Sequence, residues 1–261
     1  MDRVQQDREI LLIALKAGRI LLENGAEIFR VEETVDRICR HYELKSASAF
    51  VLSNGIFLTS GDEEETQFAK VQQIPVNNAN LSRVAEVNDL SRRIEAGECT
   101  LAEVREELNR IQTMPDFPQH IQLLAAGASG SCFSIMFHGG LQDAVCSFFI
   151  GTLLYLYLLK IGKPHFSKIV CNIAGSAWVT AMSIFCYRLG LGRHLEAMMI
   201  GGIILMVPGV AFTNAIRDMA DGDYISGSVR MLDAVLVFFC IAMGVGFMIT
   251  LYQMMTGGVL L

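Results

Sequence analysis

Charge in this chain of 261 residues is concentrated in its first part. Residues 1–119 hold 14 of the 21 Lys+Arg and 21 of the 27 Asp+Glu, whereas residues 120–261 hold only 7 and 6. The first part therefore carries a net charge of −7 and the second +1. Long apolar runs replace charge in the second part, and they raise the hydrophobic content of the whole chain to 52%. A chain divided in this way calls for two solvents, water around residues 1–119 and lipid around residues 120–261. The expected architecture is an N-terminal α+β cytosolic domain joined to an integral membrane bundle of α-helices.

The acidic balance, with no basic run to follow a phosphate backbone, excludes nucleic acid as a partner. The N-terminus, Met1-Asp2-Arg3-Val4-Gln5-Gln6-Asp7, has no uninterrupted apolar core of a signal peptide, so the first domain is expected to stay in the cytosol. None of the seven cysteines forms a C-x-x-C pair and five lie in the hydrophobic part, so they read as small apolar fillers rather than as a disulfide or metal framework. No cofactor or metal is expected.

In the first domain, residues 8–23 read as a helix that Asn24-Gly25 interrupts. Val31, Val35, Ile38 and Tyr42 then mark one face of a second helix. The apolar runs at 49–53 and 56–59 flank Asn54-Gly55, a strong hairpin signal, and residues 67–76 supply a third strand. Two helices follow, one through Leu81, Val84, Val87, Leu90 and Ile94, the other opened by a capping box at Thr100 and Glu103. Glu23, Gly25, Glu27, Arg30, Glu32 and Glu33 form the domain's polar cluster, with Glu27 and Arg30 at pairing distance on a helix. That cluster is either a solvated helix face or part of a site. His41 and the acidic run Asp62–Glu65 fit no nucleophile or metal spacing.

A spanning helix needs about 20 mostly apolar residues. Five stretches qualify, at about 120–138, 141–159, 167–187, 195–213 and 234–253. Asp143 falls near one end of the second, at the expected interface. Lys160, Lys163, Lys168, Arg217 and Arg230 fall in loops on one side, against Arg188 and Arg193 on the other. This bias predicts a cytoplasmic N-terminus and, with an odd number of spans, an external C-terminus. Small residues four apart, such as Ala126 and Gly130 or Ala197 and Gly201, predict close helix packing.

Three features of this region carry polarity. Asn172, Ser176, Thr180 and Ser183 lie on one helix face, which either bonds to a neighbouring helix or lines a water-accessible path. Pro208-Gly209 breaks the fourth stretch, either as a structural kink or as the broken helix of a transport path. Asn214, Arg217, Asp218 and Asp221 share one side of a helix that Gly222 ends, and Asp223, Arg230 and Asp233 follow. This stretch is either a solvated, self-paired hairpin or a charged site at the inner mouth of the membrane region.

Three segments resemble the threonine/serine exporter (ThrE) family: Leu21–Thr34 with its Glu23-Asn24-Gly25-Ala26-Glu27, Val207-Pro208-Gly209 with Thr213–Asp218, and Gly222–Gly227 with Arg230 and Asp233. The likeness runs over about residues 10–255 and covers the N-terminal half of full-length members. It implies a non-enzymatic exporter in the bacterial inner membrane, in a split form that works with a second membrane subunit. Succinate-like dicarboxylates are the cargo implied for the split form, and threonine or serine for the fused one. Arg217 and Arg230 would then meet the substrate carboxylate, and Asp218, Asp221 or Asp223 would carry a coupling proton. A membrane-anchored hydrolase would need a nucleophile and base in residues 1–119, where no such pair is evident. A membrane scaffold or receptor would leave the polar stripe and the broken span without purpose.

Overall fold

The computed structural model describes residues 3–44, 47–61, 66–75, 79–161 and 167–257. The protein is mostly helical, with one small sheet. Ten α-helices and three strands are described: α1 (Arg3–Glu23), α2 (Ile28–His41), β1 (Ala47–Leu52), β2 (Gly55–Gly61), β3 (Thr66–Gln73), α3 (Leu81–Glu95), α4 (Leu101–Thr113), α5 (Gln119–Met136), α6 (Leu141–Ile161), α7 (Lys168–Arg188), α8 (Leu195–Ile203), α9 (Gly209–Ala220) and α10 (Tyr224–Thr256). A 3-10 turn, Ile204–Met206, extends α8. The acidic run Asp62–Glu65, Lys163 and Val76 lie outside the described residues.

The chain forms two compact units. One is Met1–Pro115 with Gly209–Leu232, the other Asp116–Pro208 with Asp233–Leu261. Residues 209–232, which the sequence groups with the membrane region, thus belong with the first unit.

The first unit is organised around α1, whose Leu11, Leu15, Ile20 and Leu21 are fully buried against Val31, Val35 and Ile38 of α2. The sheet runs β1-β2-β3, antiparallel throughout, and turns Val51, Ile56 and Leu58 into this core. Leu52 pairs with Gly55, so Ser53 and Asn54 make the turn and Gly55 already belongs to β2, one residue earlier than the Asn-Gly signal suggests. Helices α3 and α4 close the core with Val87, Leu90, Ile94, Val104, Leu108 and Ile111. The capping box of α4 is present: Thr100 N–H donates to Glu103 at 2.7 Å, and Glu103 N–H to the Thr100 hydroxyl at 3.4 Å.

The second unit packs α6, α7 and α10 around Ile150, Leu154, Val179, Val237 and Ile241, together with Met206. Its outward side chains include Phe149, Leu153, Phe185, Phe239 and Phe247, as a lipid-facing surface requires. Leu141–Lys160, Lys168–Arg188 and Tyr224–Thr256 are long and apolar enough to cross a membrane, and counting the broken pair α8 and α9 as one span makes four. Five stretches were expected. The difference lies at α5, where Gln119, His120 and Gln122, then Gly127, Ser129, Gly130, Ser131 and Ser134, dilute the apolar residues of an 18-residue helix.

Close packing of α7 on α10 depends on Gly244. A Cβ there would fall on the Ser176 hydroxyl and the Ile173 carbonyl, and 3.0 Å from Ala177 N. Two of these three atoms are backbone and cannot rotate away. Gly244→Ala is therefore expected to cost about 1–3 kcal/mol. Gly246→Ala, with nothing within 4 Å of its Cβ, is the control and should melt like the parent. Equal melting temperatures for the two variants would contradict this packing.

Candidate functional site

The site is built on the turn between α1 and α2. Gly25 adopts φ 83, a left-handed conformation, and helix α1 ends there with Ala26 N–H bonded to Leu21 O at 3.0 Å and Gly25 N–H to Leu22 O at 3.2 Å. The buried Asn24 side chain donates to Ile20 O at 2.7 Å, and the Asn24 backbone carbonyl accepts Asn80 N–H at 3.1 Å. The turn is thus pinned from inside the unit.

Its remaining polar groups are met by α9 and the start of α10. Asn214 Nδ2 donates to Gly25 O at 2.8 Å. Arg217 Nη1 bonds Glu27 Oε1 at 2.5 Å. Asp218 Oδ1 accepts Ile28 N–H at 3.2 Å, and its Oδ2 accepts Arg230 Nη1 at 2.9 Å. Arg230 Nη2 also donates to Ala26 O at 3.1 Å. The three segments that resemble the exporter family therefore converge on one carboxylate, Asp218.

Burial separates the two ion pairs. The Asp218 and Arg230 side chains are 1% and 12% exposed, whereas Arg217 is 57% exposed over a largely buried Glu27. Ile28 opens α2, so the Asp218 carboxylate sits at a helix N-terminus, where amide dipoles favour an anion. The hairpin that presents these groups is tightly turned. Gly222, at φ 98, follows α9, and Asp223 N–H returns to Asp218 O at 2.8 Å.

Two carboxyls of the first unit titrate unusually. Burial pushes Glu27 up, but hydrogen bonds from Arg217 and then Arg30 outweigh it, and the net is a carboxyl below its ordinary range. Its contribution to stability is therefore complete above the ordinary glutamate value of about 4.3 and is lost as pH falls through the lower folded value. Glu32 goes the other way. Burial raises it, the Val51 N–H bond at 3.0 Å opposes this, and the charges of Asp223 and Asp36 add to the rise. A raised carboxyl disfavours its charged form at neutral pH, so Glu32 works against stability there and less so in acid.

The other residues singled out by sequence fall elsewhere. Glu23 pairs with Arg19 at 2.6 Å, Arg30 with Glu27 at 3.1 Å, and Glu33 with Arg37 at 2.7 Å. Asp221 is exposed and Asp223 half-buried. Asp233 bonds Lys168 at 2.7 Å rather than Arg230. Ser176, Thr180 and Ser183 are fully buried, and each hydroxyl returns to a carbonyl three or four residues back in α7 instead of crossing to another helix. Asn172 is half-buried at the start of that stripe. Pro208 precedes α9 and Gly209 begins it. Among the described residues, no three His, Cys, Asp or Glu side chains gather to hold a metal ion.

One constellation escaped the sequence reading. Asp143 is fully buried and bonded to His194 at 2.7 Å. Its signal was Gly139-Gly140 three residues before an acid in the first turn of an apolar helix, which is a cap and not a surface charge.

The arrangement is a helical membrane protein with a charged helical hairpin held against the turn between α1 and α2. The family model described as putative threonine/serine exporter matches residues 12–252, and the chain belongs to this family. It is 24% identical over 251 residues to the probable succinate transporter subunit YjjP of Escherichia coli, covering 96% of this chain and 97% of that one. The counterpart of the same name in Klebsiella aerogenes is 26% identical over 254 residues, covering 96% of each chain. The threonine/serine exporter of Corynebacterium glutamicum is 24% identical over 256 residues, which are 94% of this chain but 52% of that protein. No solved structure matches the chain.

Proposed function

We propose that this protein is one subunit of a proton-coupled exporter of small organic acids in the bacterial inner membrane, with its N-terminus in the cytoplasm. The observation that carries the reading is the convergence of Gly25–Ile28, Asn214–Asp218 and Arg230 on one buried ion pair. Such a cluster has two discrete arrangements, closed as described or opened by a competing anion, and a gate needs that bistability. Arg217 is the group a substrate meets first. Its guanidinium is half in water and bonds one oxygen of Glu27, so a substrate carboxylate can displace Glu27 from it by offering a two-oxygen fork. Asp218, Asp221 and Asp223 are the carboxylates nearest this exchange.

A succinate-like dicarboxylate is the favoured cargo, because the relatives that this chain spans end to end are named succinate transporter subunits. Threonine and serine are the second reading, supported by the fused relative of which the chain spans 52%. The name of those relatives, transporter subunit, supports a second membrane subunit, similar to YjjB, that completes the path. In vesicles, the two subunits together are expected to export labelled succinate, and this chain alone to export none. Full export by the purified chain alone would refute the split-transporter reading.

A further inference from the structure

The second unit holds a buried carboxylate with every acceptor position filled. Asp143 Oδ1 accepts the backbone N–H groups of Arg193 at 2.6 Å and His194 at 3.0 Å. Asp143 Oδ2 accepts Gly140 N–H at 2.8 Å and contacts His194 Nδ1 at 2.7 Å. A carboxylate has about four lone-pair sites, and all four here face nitrogen. Three of the four are backbone N–H groups, which can only donate, and hydrogen bonds of this kind favour the charged form, so the group is held as an anion.

This fixes the tautomer of His194. An acceptor-only partner requires Nδ1 to carry hydrogen, and in neutral imidazole the other nitrogen, Nε2, is then the acceptor. The imidazole side chain is 53% exposed, whereas Asp143 is 1% exposed. A proton from water can thus bind Nε2 while the Nδ1–H bond to Asp143 stays intact. The imidazolium that forms faces a fixed anion across 2.7 Å. The same logic of an orienting carboxylate behind a histidine operates in many proton-transfer sites.

We propose that His194 is a proton-accepting site of the membrane unit, with Asp143 as the positioning residue that sets its tautomer. The step is the reversible addition of one proton to Nε2, with no other bond made or broken. Among the described residues, the ionisable groups on the elements beside His194 are Asp143, the Cys146 thiol one turn along α6 with Cys186 of α7 beside it, the Arg188–Tyr252 pair with Tyr252 packed against the Leu195 cluster, and the exposed His138, Arg193 and Glu196 on the adjoining turns. The role in export rests on the proton-coupled reading above, and the loop between α7 and α8 that holds His194 lies on the external side if the N-terminus is cytoplasmic and α5, as expected from the sequence, crosses the membrane with α6 and α7. An exporter driven by inward proton flow takes its protons from that side.

A merely structural Asp143–His194 staple predicts something different, and His194→Asn separates the two. Asparagine can still donate an N–H to Asp143 but offers no titrating nitrogen. In proteoliposomes with the second subunit, His194→Asn is expected to keep the parent's melting temperature, lose roughly tenfold or more in export, and lose the response to external pH. Parent-like rate and pH profile in that variant would overturn the proposal. The nitrogen resonances of histidine-labelled chain in lipid nanodiscs give a readout independent of transport, with His194 assigned by its loss in His194→Asn. The Nδ1–H tautomer is expected, with a proton added at Nε2 on acidification. An Nε2–H tautomer, or a ring that takes no proton on acidification of the folded protein, would overturn the proposal even if the parent exports nothing. Absence of export by the parent complex with a titrating His194 would count against the exporter reading alone.

Discussion

Arg230→Ala is expected to destabilise the first unit by about 3–5 kcal/mol and to abolish export. Among the described residues, the arginine is the sole side-chain cation on a carboxylate that is 1% exposed, and it also holds the Ala26 carbonyl. Truncation leaves the Asp218 anion with one backbone donor, Ile28 N–H, at 3.2 Å. An unpaired buried charge costs far more than an exposed ion pair contributes. The check is a melting curve of the detergent-solubilised protein beside export normalised to protein in the membrane. A fall of less than about 1 kcal/mol would mean that water reaches Asp218 and that the pair is not a buried one.

A double variant separates stability from gating. Apolar residues of similar volume often replace a buried ion pair without loss of stability. Asp218→Leu with Arg230→Met should therefore melt near the parent and still fail to export. Recovery of both properties would reduce the pair to a packing device.

Local signals in the sequence were legible where the physics is local. The Thr100–Glu103 box and the Asn24-Gly25 stop depend on residues within one helical turn, and both occur as read. The helical spacing of Asn214, Arg217 and Asp218 was legible too, and all three meet the α1–α2 turn. Asp221 does not, because α9 ends at Ala220 and the regular rotation that would bring it round stops there.

Their partners were not legible. Asp218 and Asn214 bind the backbone of Ile28 and Gly25, about 190 positions away, and every residue has a backbone. Arg230 and Asp233 illustrate the same limit. Their spacing suits a pair within one helix, yet a buried carboxylate claims Arg230 and a lysine of α7 claims Asp233. Desolvation decided the first contest, since leaving Asp218 without a cation costs more than leaving an exposed Asp233 to lysine or water. Burial of that kind is a property of the fold and has no sequence signature. Asp143 failed for the converse reason. A lone acid near the end of an apolar helix reads as an interface charge, and only the placement of the α7–α8 loop reveals the donors that surround it.

Arg217→Ala is expected to abolish export while leaving the melting temperature nearly unchanged. The guanidinium is 57% exposed and the acid it bonds, Glu27, keeps a second bond from Arg30 at 3.1 Å. Loss of the arginine therefore strands nothing, and the fold tolerates it. Export depends on it for another reason. Exchange of Glu27 for a substrate carboxylate needs a donor that can face both oxygens of the incoming partner, and it is cheap in energy only because the two partners are chemically alike. Arg217→Lys keeps the charge but offers a point donor in place of a planar fork, so it too should fail. Arg40→Ala, at a side chain 78% exposed on the same domain, should export like the parent. The discriminating measurement is export rate per membrane-inserted protein across a range of substrate concentrations. Restored export by Arg217→Lys at saturating substrate would show that charge alone suffices there. Normal export by Arg217→Ala would remove the arginine from the path and leave the Asp218–Arg230 pair as the functional part of the cluster.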